Sequence, residues 1–362
     1  MTLTLDGVAK VVEGRPHIHP TSLTLARGSM NVLLGPTLAG KTTLMRLMAG
    51  LDHPTAGRIL WEGADVTGRR VQDRKVAMVY QQFINYPTLS VYENIASPLR
   101  LQRLPREEIR RRVEAVAELV KLTPLLGRKP LELSGGQQQR TALARALVKD
   151  AQLILLDEPL ANLDYKLREE LRAEIPRLFG ESGAIFVYAT TEPHEALLLG
   201  GNTATLWEGR VTQFGPTPEV YRRPQDAVTA SVFSDPPMNF AALEKQGPSL
   251  RFASGLVAPA GGALAGLADG RYRAGFRANH LAIDRPHGEA IAFAAEVAIT
   301  ELTGSESFVH LDHGSDRWIA LIHGVRAPAV GERIEVYVDP AHLYLFGEDG
   351  ALAATAAYAA AA

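Results

Sequence analysis

The sequence predicts a two-domain protein in which an α/β domain precedes a small all-β domain. Residues 1–235 alternate near-continuous apolar runs with amphipathic segments, whereas residues 236–362 contain short segments with an apolar residue at every second position. A chain of 362 residues is also long enough for two domains. We therefore place the boundary between residues 235 and 236.

Four apolar runs predict the buried strands of a parallel sheet: MNVLLG, KVAMVY, AQLILLD and AIFVYAT. Runs of this length without polar alternation are typical of strands that are covered on both faces. Helices are predicted between them at LPREEIRRRVEAVAELV, SGGQQQRTALARALV and KLREELRAEIPRLFG, where apolar residues recur at helical spacing. Strands that alternate with helices indicate a parallel sheet with helices packed on its faces.

The second domain is expected to be antiparallel. Gly, Pro and Asp separate the alternating segments RYRAGFR, AFAAEVAI, SFVHLD, RWIALIHG, RIEVYV and HLYLF, which favours one or two Greek-key barrels. The low-complexity tail ALAATAAYAAAA is interpreted as either a frayed helix or a disordered segment.

Composition excludes several classes of protein. The formal net charge of −2 argues against a nucleic-acid-binding protein. The absence of cysteine excludes disulfides and thiolate metal sites and fits a reducing compartment. The N-terminus lacks a basic stretch followed by an apolar one, and no run approaches about eighteen apolar residues. We therefore expect neither a signal peptide nor a membrane span.

The stretch GPTLAGKT matches the phosphate-loop pattern G-x-x-x-x-G-K-[ST] and lies between a predicted strand and a predicted helix. Glycines allow backbone N–H groups to surround an anion, and the helix N-terminus adds a favourable dipole. We expect Lys41 to reach the β- and γ-phosphates and Thr42 to ligate Mg²⁺. The residues assigned to nucleotide binding are Gly35, Pro36, Thr37, Leu38, Ala39, Gly40, Lys41, Thr42 and Thr43. A glycine-rich turn with a solvent-exposed lysine is the alternative, which the strand–loop–helix setting disfavours.

An acidic pair follows the third apolar run. LILLDEP places Asp157 and Glu158 at the carboxyl end of a buried strand, the edge at which open α/β sheets bind ligands. Asp157 is expected to hold Mg²⁺ through its water shell, and Glu158 to polarise a water toward the γ-phosphate. The alternative is a strand-ending turn with solvated carboxylates, which the upstream phosphate loop disfavours.

LSGGQQQR, directly upstream of the acidic strand, resembles the signature motif of ABC-transporter ATPases. The resemblance implies a phosphate-loop ATPase domain with a helical subdomain. It also implies that two ATPase domains pair head to tail, so that each signature motif closes on the nucleotide held by the partner's phosphate loop. Ser134 is also a good N-cap, so the motif opens a helix and forms a second anion site. By this resemblance Ser134, Gly135, Gly136 and Gln137 contact nucleotide.

Further segments are similar to the same family in the same order. MVYQQFINYPTLSVYENI resembles the Q-loop of sugar-importer ATPases, in which Gln81 would contact Mg²⁺ and the attacking water. The segment from Phe83 to Pro87 resembles the groove that receives a helix of the membrane subunit. LANLD resembles the D-loop, with Asp164 at the dimer seam. The resulting assignments are Glu158, Gln81 and Lys41 to catalysis, and Thr42, Gln81 and Asp157 to the metal ion.

The C-terminal domain resembles the OB-like regulatory domain of importer ATPases of the maltose and glycerol-phosphate type. The segment GFRANHLAI is similar to their recurring GIRPEHL. The resemblance therefore covers nearly the whole chain, and its motifs are most specific in the first 200 residues.

Two positions depart from the family pattern. YATTEPHEA aligns with Y-V-T-H-D-Q-x-E-A, which puts Thr191 where the family has a histidine that contacts the γ-phosphate. Threonine cannot carry a positive charge, and loss of such a contact typically reduces the rate about 10²- to 10³-fold. His194 could substitute only through a different loop path. Val12 stands where the family has an aromatic residue that stacks on adenine, a role that His17 or His19 could take over.

These departures leave the assembly open. In one hypothesis the chain pairs with a second, different ATPase subunit that has the histidine, and its own site is weakened. In another it forms a homodimer with two slow sites, and in a third it is a regulatory subunit that only holds ATP. Soluble ABC-type ATPases of DNA repair or translation are disfavoured, because they have coiled-coil insertions or tandem domains that are absent here.

The resemblance further implies a complete import system. It comprises ATP and Mg²⁺ as cofactors, two membrane permease subunits and, indirectly, an extracytoplasmic solute-binding protein. The chain would be peripheral on the cytoplasmic face of a bacterial inner membrane. The runs VYATTEPHEALLLGGNTATL and GPTLAGKTTLMRLMAGLD resemble one of the two paired ATPases of the bacterial glycerol importer, which makes glycerol the expected cargo within the sugar and polyol class.

Overall fold

The computed structural model describes residues 2–82, 84–161, 163–261 and 264–357. The chain divides into two compact units, Met1–Thr217 and Pro218–Ala362. This division lies before the boundary that we placed at residues 235 and 236, because a short helical segment after Thr217 groups with the second unit.

The first unit contains two sheets and six helices within the described residues. Its strands are β1 (Thr2–Val12), β2 (Arg15–Ala26), β3 (Met30–Leu34), β4 (Ala56–Trp61), β5 (Ala64–Asp65), β6 (Val76–Val79), β7 (Leu153–Asp157), β8 (Ile185–Thr190), β9 (Asn202–Trp207) and β10 (Arg210–Pro216). Its helices are α1 (Lys41–Ala49), α2 (Val91–Leu101), α3 (Arg106–Leu119), α4 (Gly135–Leu147), α5 (Tyr165–Ser182) and α6 (Pro193–Leu199).

The larger sheet has the order β10-β9-β3-β8-β7-β6. Its strands from β9 to β6 are parallel, and β10 pairs with β9 as an antiparallel hairpin. The four predicted buried strands are β3, β6, β7 and β8, and they are consecutive in the parallel part of this sheet. The three predicted helices are present as α3, α4 and α5.

The first unit also contains a second, antiparallel sheet with the strand order β2-β1-β4-β5. We did not predict it, although the alternation in β1, where Leu3 and Leu5 are buried and Thr4 is not, is the period-two signal of a half-buried strand. One apolar core joins this sheet to the parallel sheet and to α1, with Leu5, Leu44 and Leu155 fully buried in it. The start of α1 is thereby fixed against both sheets.

The second unit begins with short helices and continues as strands. The helices are α7 (Thr217–Arg222) and α8 (Ala227–Val232). The strands are β11 (Asn239–Gln246), β12 (Ser249–Phe252), β13 (Val257–Pro259), β14 (Gly270–Phe276), β15 (Leu281–Ala282), β16 (Ile291–Leu302), β17 (Glu306–His313), β18 (Asp316–His323), β19 (Arg333–Val338), β20 (Tyr344–Phe346) and β21 (Leu352–Ala354).

These strands form two antiparallel sheets, β13-β12-β11-β14-β20-β21 and β15-β19-β16-β17-β18. Each of the six predicted strand segments of this domain contains a strand, although in HLYLF the strand covers only Tyr344–Phe346. The two sheets share an apolar core in which aromatic rings meet edge to face. Phe293 lies 5.0 Å from Phe252 and 5.1 Å from Trp318 between ring centroids, the geometry that aromatic quadrupoles favour.

The alanine-rich tail differs in part from our expectation. Leu352–Ala354 form β21, which pairs with β20, so the prediction of a frayed helix or disorder is wrong for these residues. The physical reason is that Leu352 packs against a small apolar cluster that includes Phe346. Residues 358–362 of the tail lie outside the described residues.

Arg277 holds the helical segment to the β-sheets of the second unit. Its side chain is 4% exposed and donates to the carbonyl oxygens of Phe233 and Tyr221, each at 2.9 Å. It also donates to the hydroxyl of Ser234 at 2.8 Å and lies over the ring of Tyr221. This set of contacts explains why α7 and α8 belong to the second unit.

We expect Arg277→Ala to lower the free energy of unfolding of the second unit by about 2–4 kcal/mol, since buried acceptors lose charged donors. Urea unfolding can be followed by the fluorescence of buried Trp318 in a chain with Trp61 and Trp207 replaced by Phe. Arg271→Ala is the matched control, because Arg271 pairs with Glu348 at the surface and should change stability by less than about 1 kcal/mol. Equal losses in the two variants would contradict this role of Arg277.

Candidate nucleotide-binding site

The loop between β3 and α1 is fixed on both sides. The N–H of Gly35 donates to the carbonyl oxygen of Thr190 at the end of β8, at 3.3 Å, and the N–H of Gly209 donates to the carbonyl oxygen of Ala39 at 3.0 Å. Gly40 caps α1 with φ of 102°, a left-handed conformation that favours glycine. A Cβ at Gly40 would lie 2.8 Å from Cδ1 of Ile18. The loop therefore requires glycine at this position.

Lys41 is folded back onto its own loop. Its side chain is 5% exposed, and Nζ donates to the carbonyl oxygens of Gly35 at 2.7 Å and Pro36 at 3.1 Å. The same nitrogen lies 3.6 Å from Oε1 of Glu158. Burial lowers the pKa of Lys41, and the carboxylates of Glu158 and Asp157 partly oppose this by favouring the charged form.

Asp157 is the last residue of β7 and is 3% exposed. The hydroxyl of Thr42 donates to its Oδ2 at 2.6 Å. Burial raises the pKa of Asp157, while the hydrogen bond from Thr42 and the charge of Lys41 oppose the rise. The buried carboxylate of Asp157 and the exposed hydroxyl of Thr42 offer the oxygen ligands that suit Mg²⁺.

Glu158 directly follows β7 and is fixed by hydrogen bonds of its backbone and of its side chain. Its backbone has a φ of 47°, which is rare for a residue other than glycine. Its N–H donates to the carbonyl oxygen of Ala189 in β8 at 3.0 Å, and Nε2 of Gln81 donates to its Oε2 at 2.9 Å. The structure thus brings together Lys41, Gln81 and Glu158, the three residues assigned to catalysis.

These residues border a cleft of about 500 Å³. Its lining residues are Pro16, His17, Thr37, Leu38, Ala39, Gly40, Lys41, Thr42, Thr43, Gln81, Glu158, Glu208 and Gly209. Pro16 and the Glu208–Gly209 turn of the β9–β10 hairpin were missed by sequence reasoning. The dipeptide Glu-Gly between two alternating runs was the available signal for that hairpin turn.

Several other residues that we assigned to nucleotide binding do not line this cleft. Val12, at the end of β1, does not line the cleft, whereas His17 does. Neither Thr191 nor Asp164 lines it either. Asp164 is the exposed N-cap of α5, with Oδ1 accepting from the N–H of Leu167 at 3.0 Å.

The signature residues form the N-terminus of α4. Ser134 and Gln137 make a capping box, in which Oε1 of Gln137 accepts from the N–H of Ser134 at 3.0 Å. None of the residues from Ser134 to Gln137 lines the cleft within the part of the chain that the structure describes. Ser134 and Gly135 are exposed, so this helix terminus is accessible to a molecule other than the nucleotide of the same chain.

Thr191 is exposed and directly follows β8. The turn around it is held by Thr190, whose hydroxyl donates to Oε2 of Glu195 at 2.6 Å and accepts from the N–H of Glu192 at 3.0 Å. Glu195 is 5% exposed. His194 is exposed on α6.

The segment predicted to receive a membrane subunit is described only in part, because Phe83 lies outside the described residues. Ile84 and Tyr86 are 61% and 49% exposed. Asn94, buried in α2, accepts from the N–H of Tyr86 at 2.8 Å and donates to its carbonyl oxygen at 3.1 Å. Ile84 and Tyr86 are therefore accessible, and the backbone of Tyr86 is fixed by Asn94.

Two family models match separate parts of this chain. The chain matches the family described as ABC transporter over residues 18–161 and the TOBE domain over residues 274–346. It is 34% identical over 355 residues to the sn-glycerol-3-phosphate import ATP-binding protein of Yersinia enterocolitica, covering 97% of this chain and 98% of that protein. It is 38% identical over 362 residues to the xylose/arabinose import ATP-binding protein of Haloferax volcanii, covering 96% and 94%.

A dimeric structure of a bacterial ABC transporter cassette is also similar. Its TM-score is 0.56 at 28% identity, and the match covers 59% of this chain and 98% of that chain. The same cassette in a post-hydrolysis state has ADP and Pi bound.

The chain belongs to the ABC transporter family. It is an ATPase of that family with a C-terminal TOBE domain, which confirms the predicted fold class and the resemblance to ATPase subunits of sugar and polyol importers. No helix of the described residues has both the length and the apolar character needed to cross a membrane.

We expect Gly40→Ala to weaken ATP binding on the order of tenfold or more, because a φ of 102° is strained for any residue other than glycine and the added Cβ would lie only 3.3 Å from the carbonyl oxygen of His17. Titration with a fluorescent ATP analogue measures the dissociation constant. Gly68→Ala is the control, since a Cβ there meets no atom within 4 Å. An unchanged dissociation constant for Gly40→Ala would show that the loop does not need this conformation.

Proposed function

We propose that this chain hydrolyses ATP to energise import of a small polyol or sugar through separate membrane permease subunits, with glycerol as the first cargo to test. The observation that carries the proposal is the convergence of Lys41, Gln81 and Glu158 on one cleft. The printed names of the relatives support the class of cargo, because they specify glycerol 3-phosphate and xylose or arabinose.

The residues of the cleft have separable tasks in this proposal. The ammonium of Lys41 leaves the carbonyl oxygens of Gly35 and Pro36 and binds the β- and γ-phosphates instead. Glu158 orients the attacking water and accepts its proton, and Gln81 positions that water. Thr42, Asp157 and Gln81 would hold Mg²⁺, which neutralises phosphate charge when bound.

The proposed assembly contains a second ATPase subunit, two permease subunits and an extracytoplasmic solute-binding protein. The exposed signature terminus at Ser134 supports a head-to-tail partner, and the exposed side chains of Ile84 and Tyr86 support a permease contact. We propose that the partner is a different ATPase with the histidine that Thr191 replaces. A homodimer, or a mainly regulatory subunit with little hydrolysis, is the alternative. The complex would lie on the cytoplasmic face of a bacterial inner membrane.

Affinity purification of the tagged chain from its own membranes in mild detergent, followed by mass spectrometry, tests this assembly. We expect two permease subunits and a second ATPase with a histidine at the position of Thr191. Permease subunits without a second ATPase would indicate a homodimer, and no permease subunit at all would contradict the transport function. Uptake of labelled glycerol, glycerol 3-phosphate and xylose by cells with and without the chain identifies the cargo.

We expect Thr191→His to raise ATP turnover at this chain's own site by about tenfold or more, because an imidazolium can stabilise phosphate charge that a hydroxyl cannot. Turnover is measured in the assembled complex with the partner's site inactivated. His194→Ala is the control and should leave turnover unchanged. If instead Thr191→His has no effect and His194→Ala abolishes turnover, His194 has taken over the missing role.

A further inference from the structure

We propose that Gln139 is a positioning residue for Glu158 and sets the orientation of the carboxylate that activates water. The proposal rests on the ATPase function described above. Gln139 lies one turn into α4 and is 2% exposed. Its Nε2 donates to the carbonyl oxygen of Pro159 at 2.7 Å and lies 3.5 Å from the carbonyl oxygen of Glu158. A side chain of the signature helix therefore holds the backbone that directly follows β7.

The backbone at Glu158 has a strained conformation that requires fixed contacts. Glu158 has a φ of 47°, and such strain persists only where the surrounding structure fixes it. The N–H of Glu158 is fixed by Ala189 of β8. On the carbonyl side, the N–H of Ala161 donates to the carbonyl oxygen of Glu158 at 3.4 Å, and Gln139 fixes the next carbonyl oxygen, that of Pro159. These contacts together set the direction in which the side chain of Glu158 leaves the backbone. The result is the 2.9 Å contact between Glu158 and Gln81.

A purely structural role explains Gln139 less well. Its Oε1 is buried and has no hydrogen-bond partner within the described part of the chain. A buried polar atom without a partner is unfavourable, so an apolar side chain of similar length would suit the packing about as well. What such a side chain cannot do is donate to the backbone of Glu158 and Pro159.

The position of Gln139 also links two parts of the ATPase. The same helix begins with the signature residues Ser134–Gln137, and its Gln139 contacts the backbone beside the catalytic glutamate of the same chain. Through Gln139, α4 is therefore in direct contact with the backbone that carries Glu158.

The test is Gln139→Met, which keeps the length of the side chain and removes the donor. We expect kcat for ATP hydrolysis to fall about 10- to 100-fold while KM for ATP changes less than about twofold, because geometry and not nucleotide binding is altered. Gln138→Met is the matched control on the same helix. The side chain of Gln138 donates to Leu133, away from Glu158, and this variant should keep the original kcat.

A double-mutant cycle separates positioning from general damage. In a Glu158→Gln chain, Gln139→Met should cause no further loss of kcat, because the carboxylate that it orients is already gone. Independent losses that multiply in the double variant, or a parallel rise in KM, would overturn the proposal.

Hydrogen–deuterium exchange gives a readout that does not require activity. In the free chain, Gln139→Met should speed exchange of the amides in residues 157–164, and Gln138→Met should not. Unchanged exchange in this segment overturns the positioning role. If the original chain shows no ATPase activity in any assembly, the proposed function fails, whereas the exchange experiment still decides whether Gln139 holds this backbone.

Discussion

The site depends on a small group of charges buried at the carboxyl edge of the parallel sheet. Lys41, Asp157 and Glu158 share this edge, and burial acts on the first two in opposite directions, lowering the pKa of Lys41 and raising that of Asp157. A buried charge without a partner is strongly unfavourable. Here the ammonium of Lys41 lies 3.6 Å from Oε1 of Glu158 and is also attracted by Asp157, so that one cation holds both carboxylates at this edge.

The strand order creates this group from distant parts of the chain. In the parallel sheet Leu34 pairs with Thr190, and Asp157 pairs with Ala189, so that β3, β7 and β8 end at the same edge. The phosphate loop follows β3, the acidic pair follows β7 and the turn with Thr191 follows β8. Hydrogen bonds across the strand ends, from Gly35 to Thr190 and from Glu158 to Ala189, fix the three segments relative to one another.

Thr191, which we propose to replace a histidine, lies in a fixed turn after β8. The turn that carries it is held by the buried carboxylate of Glu195, which accepts from Thr190, from Tyr188 at 3.1 Å and from Arg172 of α5 at 3.3 Å. A backbone that is fixed in this way can present a different residue at the same place. The proposed replacement of a histidine by Thr191 would therefore leave the rest of this turn in place.

Local sequence alone determined the class of fold and most of the chemistry. Buried parallel strands are apolar throughout, and a phosphate loop needs glycines, a lysine and a threonine at fixed spacing, so MNVLLGPTLAGKTT and LILLDEP could be interpreted without coordinates. The tail was interpreted incorrectly at Leu352–Ala354, because its alanine-rich composition carries no sign of the apolar cluster that Leu352 contacts. We did not predict the antiparallel sheet around β1. In this sheet β1 pairs with β2 and with β4, and the pairing with β4 joins segments that only the fold brings together.

Only the tertiary structure decided which side chains act on one another. Gln139 is one glutamine in a run of three, and nothing in its spacing shows that it alone meets the backbone of Glu158 and Pro159. The same holds for Arg277 and for the Glu208–Gly209 turn beside the phosphate loop. The physical reason is that periodicity specifies which face of an element is buried, whereas the partner of a buried polar group is set by how separate elements pack.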